Sequence, residues 1–525
     1  MTNMIESLPD DIQTLHALVR AACAERDAAC AERDRATAQN DRLRHLLRQL
    51  QRAQFGKKSE KLDPDQFNLA LEDIEAAIAE SEAQDDKAGK QGAGARAAKR
   101  RANRGALPEH LPRVHVTIAP QDTACPCCKG AMHVIGEDES QRLDVIPAQL
   151  RVIVTHRPKY ACRACEDGVV QAPAPERLIK GGIPTEALVA HVLVSKYADH
   201  LPLYRQAQIM ARQGLTIDRS TLAFWVGYAA AELMPVHARL KEILLASPKI
   251  AVDETKAPVL DPGRGRTKTG YFWAIARDDR PWGGNDPPAV AYTYAPGRGA
   301  EHGLKLLKTY RGIVQCDGYA VYKNLDADRI VLAFCWAHLR RRFFDIAKGG
   351  SAPIASQALH RIAALYEIEA TIRGTSAAEH RAVRQEKSKP LVLAFKTWLE
   401  ERLAQVSAKS VIADAIRYGL NHWDGLMRFL DDGRIEMDTN SVERTMRPIA
   451  LNRKNALFAG HDEGAANWAC IASLVETAKL AGINPQAYLA DVLVKLVNLW
   501  PEARLDELMP WAWAASHNTQ HRAAA

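Results

Sequence analysis

No uninterrupted apolar run in this sequence approaches the length needed to span a bilayer, and Met1–Asp11 is acidic and polar rather than a signal peptide. The expectation is a cytoplasmic, nucleoid-associated protein with no membrane partner. Cysteine is scarce: ten in 525 residues are too few for a disulfide scaffold. A strong excess of either charge is also missing, since 70 Lys and Arg against 63 Asp and Glu leave +7, a mild lean towards polyanions. Acidic residues vanish only locally, between Lys87 and Arg104, where seven basic residues sit among Gly and Ala. Such a segment reads as a flexible linker that can neutralise DNA phosphates without sequence preference.

What is present is length, enough for several domains and at least one large core. Apolar or small residues recur from Ile12 through Leu15, Val19, Ala22, Ala29, Ala36, Leu43 and Leu47 to Leu50, the spacing of a coiled-coil seam. Arg26, Arg33 and Asn40 fall on that seam, where polar residues weaken a coil but fix its register. The heptad Ala-Ala-Cys-Ala-Glu-Arg-Asp repeats at Ala21–Asp27 and Ala28–Asp34. A continuous helix over Ile12–Leu50 would be about 58 Å long and suits homo-oligomerisation; the alternative is a helix folded back on its own chain.

From Pro108 the pattern becomes short alternating strands, Val114–Ile118, Gln141–Ile146 and Leu150–Arg157. Cysteines bracket them as Cys125-Pro-Cys127-Cys128 and Cys162-Arg-Ala-Cys165, in polar surroundings that do not suit buried free thiols. Two such knuckles fit a tetrathiolate site for structural zinc, through Cys125, Cys128, Cys162 and Cys165, with Cys127 an alternative to its neighbour. Helix Leu203–Gln213, the turn at Gly214, and helix Arg219–Ala231 begun by Asp218 give a helix-turn-helix outline, with Arg219 placed to meet DNA. Phe224, Trp225 and Val226 nonetheless mark much of the second helix as core.

Strands dominate again from Pro248. Lys249–Val252 leads into Asp253-Glu-Thr, and Gly312–Cys316 leads into Asp317-Gly-Tyr. Gly270–Arg277, Ala289–Tyr294 and Ile330–Cys335 complete five strands, followed by the basic helix Trp336–Asp345. Residues 354–432 read as helical, anchored by Trp398, Tyr418 and Trp423. Then comes Asp438-Thr-Asn440-Ser-Val-Glu443-Arg-Thr-Met-Arg447, a helix start crowded with cations. Asp253, Asp317 and Glu443 from three separate elements would make a ligand set for hard cations such as Mg²⁺. Each also has a plain reading: a strand-ending turn for the aspartates, and for Glu443 a reciprocal helix cap with Asn440.

The sequence resembles the transposases of the insertion-sequence-66 family, bacterial DDE enzymes with a ribonuclease-H-like core. The resemblance covers nearly the whole chain. It rests on Phe55-Gly-Lys-Lys-Ser-Glu-Lys61, Leu107-Pro-Glu-His-Leu-Pro-Arg113, the two cysteine knuckles and Arg142-Leu-Asp-Val-Ile-Pro147. It continues through Val252-Asp-Glu-Thr255, Cys316-Asp-Gly-Tyr319, Cys335-Trp-Ala-His-Leu-Arg-Arg341, Asn440-Ser-Val-Glu-Arg444, Arg447-Pro and Arg453-Lys-Asn-Ala-Leu-Phe458. Thr439 stands where the family pattern has asparagine, and His461 where serine is usual. The resemblance implies metal-dependent cleavage and strand transfer at transposon ends, with Asp253, Asp317 and Glu443 binding Mg²⁺ or Mn²⁺. It implies DNA as partner and accessory proteins encoded by the same element. Arg340, Arg341, Arg444, Arg447, Arg453 and Lys454 become candidates for holding phosphates, His338 a candidate beside the metal site, and Arg447 equally a partner for Glu443. The rival readings are a catalytically silent DNA-binding regulator and a nuclease without strand transfer.

The expected architecture is multidomain α+β. It comprises a coiled coil and short helix (1–80), a basic linker (81–107), a zinc-binding β module (108–180) and a helix-turn-helix region (181–246). A ribonuclease-H-like α/β core follows in two parts (247–346 and 434–463), separated by a helical insertion (347–433), with a helical C-terminus (464–525).

Overall fold

The computed structural model describes residues 19–30, further short stretches before residue 107, and most of the chain from 107 to 523. Residues 19–30 are helical and largely exposed. The rest of the expected seam beyond Arg33, the turn at Phe55 and most of the basic linker lie outside the described residues. These fall into two compact units: one comprises those up to residue 67 with Asp261 and Arg266, and the other all the rest. The second unit is a mixed α/β assembly with two mixed sheets.

The smaller sheet is built on one long hairpin, with β1 Arg113–Thr117, β2 His133–Ile146, β3 Gln149–Ala161 and β4 Val169–Gln171. β2 runs antiparallel to β3, β1 pairs parallel with Val152–His156 of β3, and β4 pairs antiparallel with its end. Both hairpin strands extend further than alternation predicts. The added residues break the alternation, with Val134 and Ile135 exposed, and opposite charges face each other across the strands, Asp138 against Arg157 and Lys159 at 3.5 and 3.1 Å.

Helices α1 Glu186–Tyr197, α2 Leu203–Arg212 and α3 Arg219–Leu245 follow. The Thr185 side chain caps α1 by accepting from Leu188 N. α3 continues well past Ala231 because Leu233, Val236, Leu240 and Leu244 carry its buried face onwards at helical spacing. Asp218 stands at its cap position without a side-chain bond.

The larger sheet has five strands, β5 Lys249–Val259, β6 Lys268–Arg277, β7 Ala289–Ala295, β8 Gly312–Cys316 and β9 Ile330–Phe334, in the order β7-β6-β5-β8-β9. β7, β6 and β5 are antiparallel, while β5, β8 and β9 are parallel. From β9 the chain enters α4 Trp336–Ala347 and then a helical excursion containing α5 Pro353–Ile372, α6 Lys389–Gln405, α7 Val411–Asn421 and α8 Trp423–Asp431. That excursion has its own core, in which the buried Trp336 ring lies 5.9–6.3 Å from Phe395, Trp423 and Phe429. Arg384, wholly buried in a π-helical turn, pairs with Glu369 and donates to the carbonyls of Phe429 and Ile435 at 3.1 and 2.9 Å. It fixes the chain where it leaves the insertion. α9 Asn440–Ala456 then packs on β5 and β6, and α10 Asp462–Leu480 packs on β7 and α3.

Candidate functional site

Strand register brings two acids together. β5 does not end at Asp253 as its sequence suggests; it continues to Val259 because β6 pairs with it throughout. What ends is the pairing with β8, whose last partners are Ala251 and Gln315. Asp253 on β5 and Asp317 just past the end of β8 each lie two residues beyond that pair, at the same level of the two neighbouring chains. Asp317 follows the last residue of β8 and accepts from Tyr319 N at 3.0 Å, while Asp253 accepts from Glu254 N at 2.8 Å.

The third acid is delivered by the returning chain. Gln315 Nε2 donates to Asp438 O at 3.0 Å, and Trp336 N to Met437 O at 3.0 Å, so residues 436–439 run beside the ends of β8 and α4. α9 starts at Asn440, one residue before the cap expected from sequence would allow. Asp438 accepts from Asn440 N at 3.0 Å, and the Thr439 hydroxyl donates to Glu443 Oε1 at 3.2 Å. Glu443 therefore reaches back to a threonine side chain, not to Asn440.

Burial foremost, then the charges of Glu254, Asp317 and Glu443, push the Asp253 carboxyl up to about 7, against the backbone N–H it accepts. Among the described residues no Lys or Arg forms an ion pair with Asp253, Asp317 or Glu443. Hard oxygen donors crowded in this way fit a divalent cation of the magnesium class. The three carboxylates do not all come within 4.8 Å of one another; the tight group here is Cys335, His338 and Glu443.

Sequence reasoning missed the support beside Asp253. Glu254, with its side chain 1% exposed, accepts from Arg298 Nε and from the Tyr322 hydroxyl, both at 2.8 Å. Arg298 in turn stacks 3.7 Å over the Tyr319 ring. Glu254 follows Asp253 directly in the chain, but nothing in the sequence marked Arg298. From the insertion, His422 Nε2 lies 3.2 Å from Gly318 O, and Tyr418 stacks with Arg342 at 3.9 Å.

The other expected residues are distributed unevenly. Arg340 and Arg341 are exposed on α4, and Arg444 and Arg447 on α9. Arg447 makes no ion pair with Glu443, which faces His338 Nδ1 at 3.8 Å instead. Arg453 donates to Lys256 O at 2.7 Å, which ties α9 to β5. The Lys454 side chain is outside the described residues. Arg219 is spent on Glu75 at 3.5 Å, and α3 is buried along most of its length, so the face it offers to DNA is small.

In the smaller sheet, Cys125, Cys128 and Cys162 bring their sulfurs within 4.8 Å of one another, Cys128 and Cys162 at 3.4 Å. Cys127 is exposed and outside the group, and Cys165 is outside the described residues. Thiols that close, from two separate turns, suit a shared zinc ion.

Residues 181–467 match the family model described as Transposase IS66 family. Residues 42–116 match Transposase C of IS166 homeodomain, 122–166 the zinc-finger binding domain of transposase IS66, and 473–511 the IS66 C-terminal element. Two relatives come from Sinorhizobium fredii (strain NBRC 101917 / NGR234). Uncharacterized protein y4jD is 46% identical over 522 residues, covering 97% of this chain and 98% of the relative. Uncharacterized protein y4qI is 42% identical over 535 residues, with coverage of 97% and 98%.

Proposed function

The chain belongs to the IS66 transposase family, and on that premise we propose that it binds transposon-end DNA, cuts a strand and joins the freed end to target DNA. The observation that carries this reading is the register of the large sheet: Asp253 on β5 and Asp317, directly after β8, each stand two residues beyond the last pair of these parallel strands, with the helix bearing Glu443 packed on β5. The strand order, three antiparallel then two parallel, supports a ribonuclease-H-like core.

Magnesium or manganese held by the three carboxylates would supply Lewis-acid activation of the phosphodiester. The chain's own residues do the rest. Arg340, Arg341, Arg444 and Arg447 are exposed and unpaired with the acids, and they hold DNA phosphates beside them; Arg453 and, from its place in the sequence, Lys454 are further candidates for the same role. Glu254 and Tyr319 fix Arg298 beside Asp317. In the first step water displaces one strand at phosphorus and frees a 3′-hydroxyl; in the second that hydroxyl displaces a strand of target DNA. Both are in-line phosphoryl transfers, so no Ser, Tyr or Cys nucleophile is required.

Cys125, Cys128 and Cys162, with Cys165 as fourth ligand, hold structural zinc, a closed set with no position for substrate. The sequence-based domain limits, the helix-turn-helix reading, oligomerisation through the N-terminal seam, element-encoded accessory proteins and a place on the nucleoid in the cytoplasm complete the proposal. Among the described residues no helix is long and apolar enough to cross a membrane.

The test is a labelled transposon-end duplex given purified protein with Mg²⁺ or Mn²⁺. Cleaved and joined products are expected, and both should disappear in Asp253→Asn. Binding without cleavage, the same in that variant, would favour a silent regulator. Cleavage with no joined product would favour a nuclease.

A further inference from the structure

The end of β9 and the first turn of α4 place two donors of a different kind beside Glu443. Cys335, His338 and Glu443 each offer a ligand atom within 4.8 Å of the others. Cys335 and His338 are three residues apart and so lie on one side of the helix start. The thiol is held in place: Cys335 is 1% exposed, and Thr439 N donates to its sulfur at 3.3 Å. His338 Nδ1 is shielded from water, has no hydrogen-bond partner, and stands 3.8 Å from Glu443 Oε1. The mechanism above uses neither the thiol nor this nitrogen.

A thiol, an imidazole and a carboxylate form the donor set of zinc, with a fourth position left open. Magnesium takes oxygens. The two sets meet at Glu443. We infer that Cys335, His338 and Glu443 form a second metal site, for a borderline-soft divalent cation of the zinc class, whose occupation withdraws Glu443 from Asp253 and Asp317. Binding stands on the donor set alone; its inhibitory consequence rests on the function proposed above. The site would make strand cleavage sensitive to the balance of zinc over magnesium.

Cobalt(II) is the probe for binding, titrated into the full chain with its cysteine knuckles already filled with zinc. Wild type should develop thiolate-to-cobalt charge-transfer absorption. Cys335→Ser should lack it, and His338→Ala, a half-exposed position that spares the fold, should bind cobalt at least about tenfold more weakly. Asp253→Asn, outside the donor set, should keep the absorption, so a failure of the transposase reading leaves this result intact. Identical spectra for wild type, Cys335→Ser and His338→Ala would place the cobalt in the knuckles and overturn the site. In cleavage assays zinc should inhibit wild type, with added Mg²⁺ restoring the rate. Inhibition that magnesium cannot relieve, with the cobalt site present, would overturn the competition.

Discussion

In the smaller sheet three thiols meet because two turns, at Cys125–Cys128 and at Cys162, are brought together by one hairpin and its neighbours. In the larger sheet three carboxylates are drawn from β5, from the end of β8, and from a helix reached only after the whole helical insertion. Cys125 and Cys162 sit in a small cluster with Met132, Tyr160 and Val170, while the other end of the hairpin, at Leu143, Leu150, Val152 and Val154, joins the main core to which β5 and β8 also contribute. A site of the first kind depends on local turn geometry and stands or falls with its own module. A site of the second kind depends on register, on the path of the insertion and on the core behind it, so changes far from the acids reach it.

The largest effects should separate the two. Asp253→Asn should lower strand cleavage by at least about two to three orders of magnitude, the scale on which losing one electrostatic partner of the reacting group acts. Because it removes a charge that its neighbours repel, it should not lower the melting temperature in magnesium-free buffer. Cys162→Ser should do the reverse. Elemental analysis should show zinc lost, and hydrogen exchange should show the segment from Pro108 to Gln171 opened, at a cost of several kcal/mol out of the roughly 10–16 that structural zinc supplies. Amides of β5, β6 and β8 should keep their protection. Loss of that protection would mean that the thiol module is no separate unit.

The same contrast governs what the sequence discloses. The meeting of Cys125, Cys128 and Cys162 follows from knuckle spacing because its geometry is local, with Cys127 left outside the group; Cys165, the expected fourth ligand, lies outside the described residues. Strands β8 and β9 and the insertion were legible from apolar runs and periodicity. The proposed partnership of Asp253, Asp317 and Glu443 came from resemblance, since no local pattern encodes that Ala251 pairs with Gln315. The length of β5 was misjudged because Asp253-Glu-Thr reads as a turn, and a neighbouring strand overrode that local preference. The α9 start was displaced because Asp438 and Thr439 supply the bonds expected of Asn440. Arg298 and the unpaired His338 nitrogen were hidden altogether, being products of side-chain packing.

Acid should expose how far the larger sheet depends on its core. His237 on α3 is 8% exposed and lies 3.0 Å from Tyr292 O on β7. Burial, foremost, lowers its pKa from 6.5 to about 4. The unfolded chain therefore binds this proton first: the contribution is whole above about pH 6.5 and is lost as pH falls towards 4, about 3 kcal/mol in all. Denaturant unfolding across that window should show the slope, and His237→Gln should flatten it. An unchanged slope would mean that the residue titrates freely.

Gly318→Ala tests the insertion's grip on the site at a smaller scale. An added Cβ would sit 2.6 Å from His422 Nε2 and 2.8 Å from the Tyr418 hydroxyl. Both side chains belong to the insertion, and the glycine follows Asp317 directly. Overpacking of this kind costs about 2 kcal/mol. It should lower the melting temperature and slow cleavage together, because the displaced backbone carries Asp317. A loss of stability with cleavage unchanged would show that the insertion buttresses the fold without positioning the acid.

The smallest expected effect returns to a purely local device inside the larger assembly. His461 stands at the start of α10, and its Nδ1 accepts from Glu463 N at 3.1 Å and Gly464 N at 3.3 Å. A serine oxygen accepts from the same two amides, whereas alanine accepts from neither. His461→Ser should therefore stay within a few tenths of a kcal/mol of wild type, and His461→Ala should lose about 1 kcal/mol, both read from denaturant midpoints at equal slope. The helix it starts packs on β7, so the alanine loss should appear in the unfolding of the larger sheet and leave zinc content untouched. Equal losses in the two variants would show that the imidazole ring is needed for packing beyond its role as acceptor, and that even a helix cap here is not independent of the core.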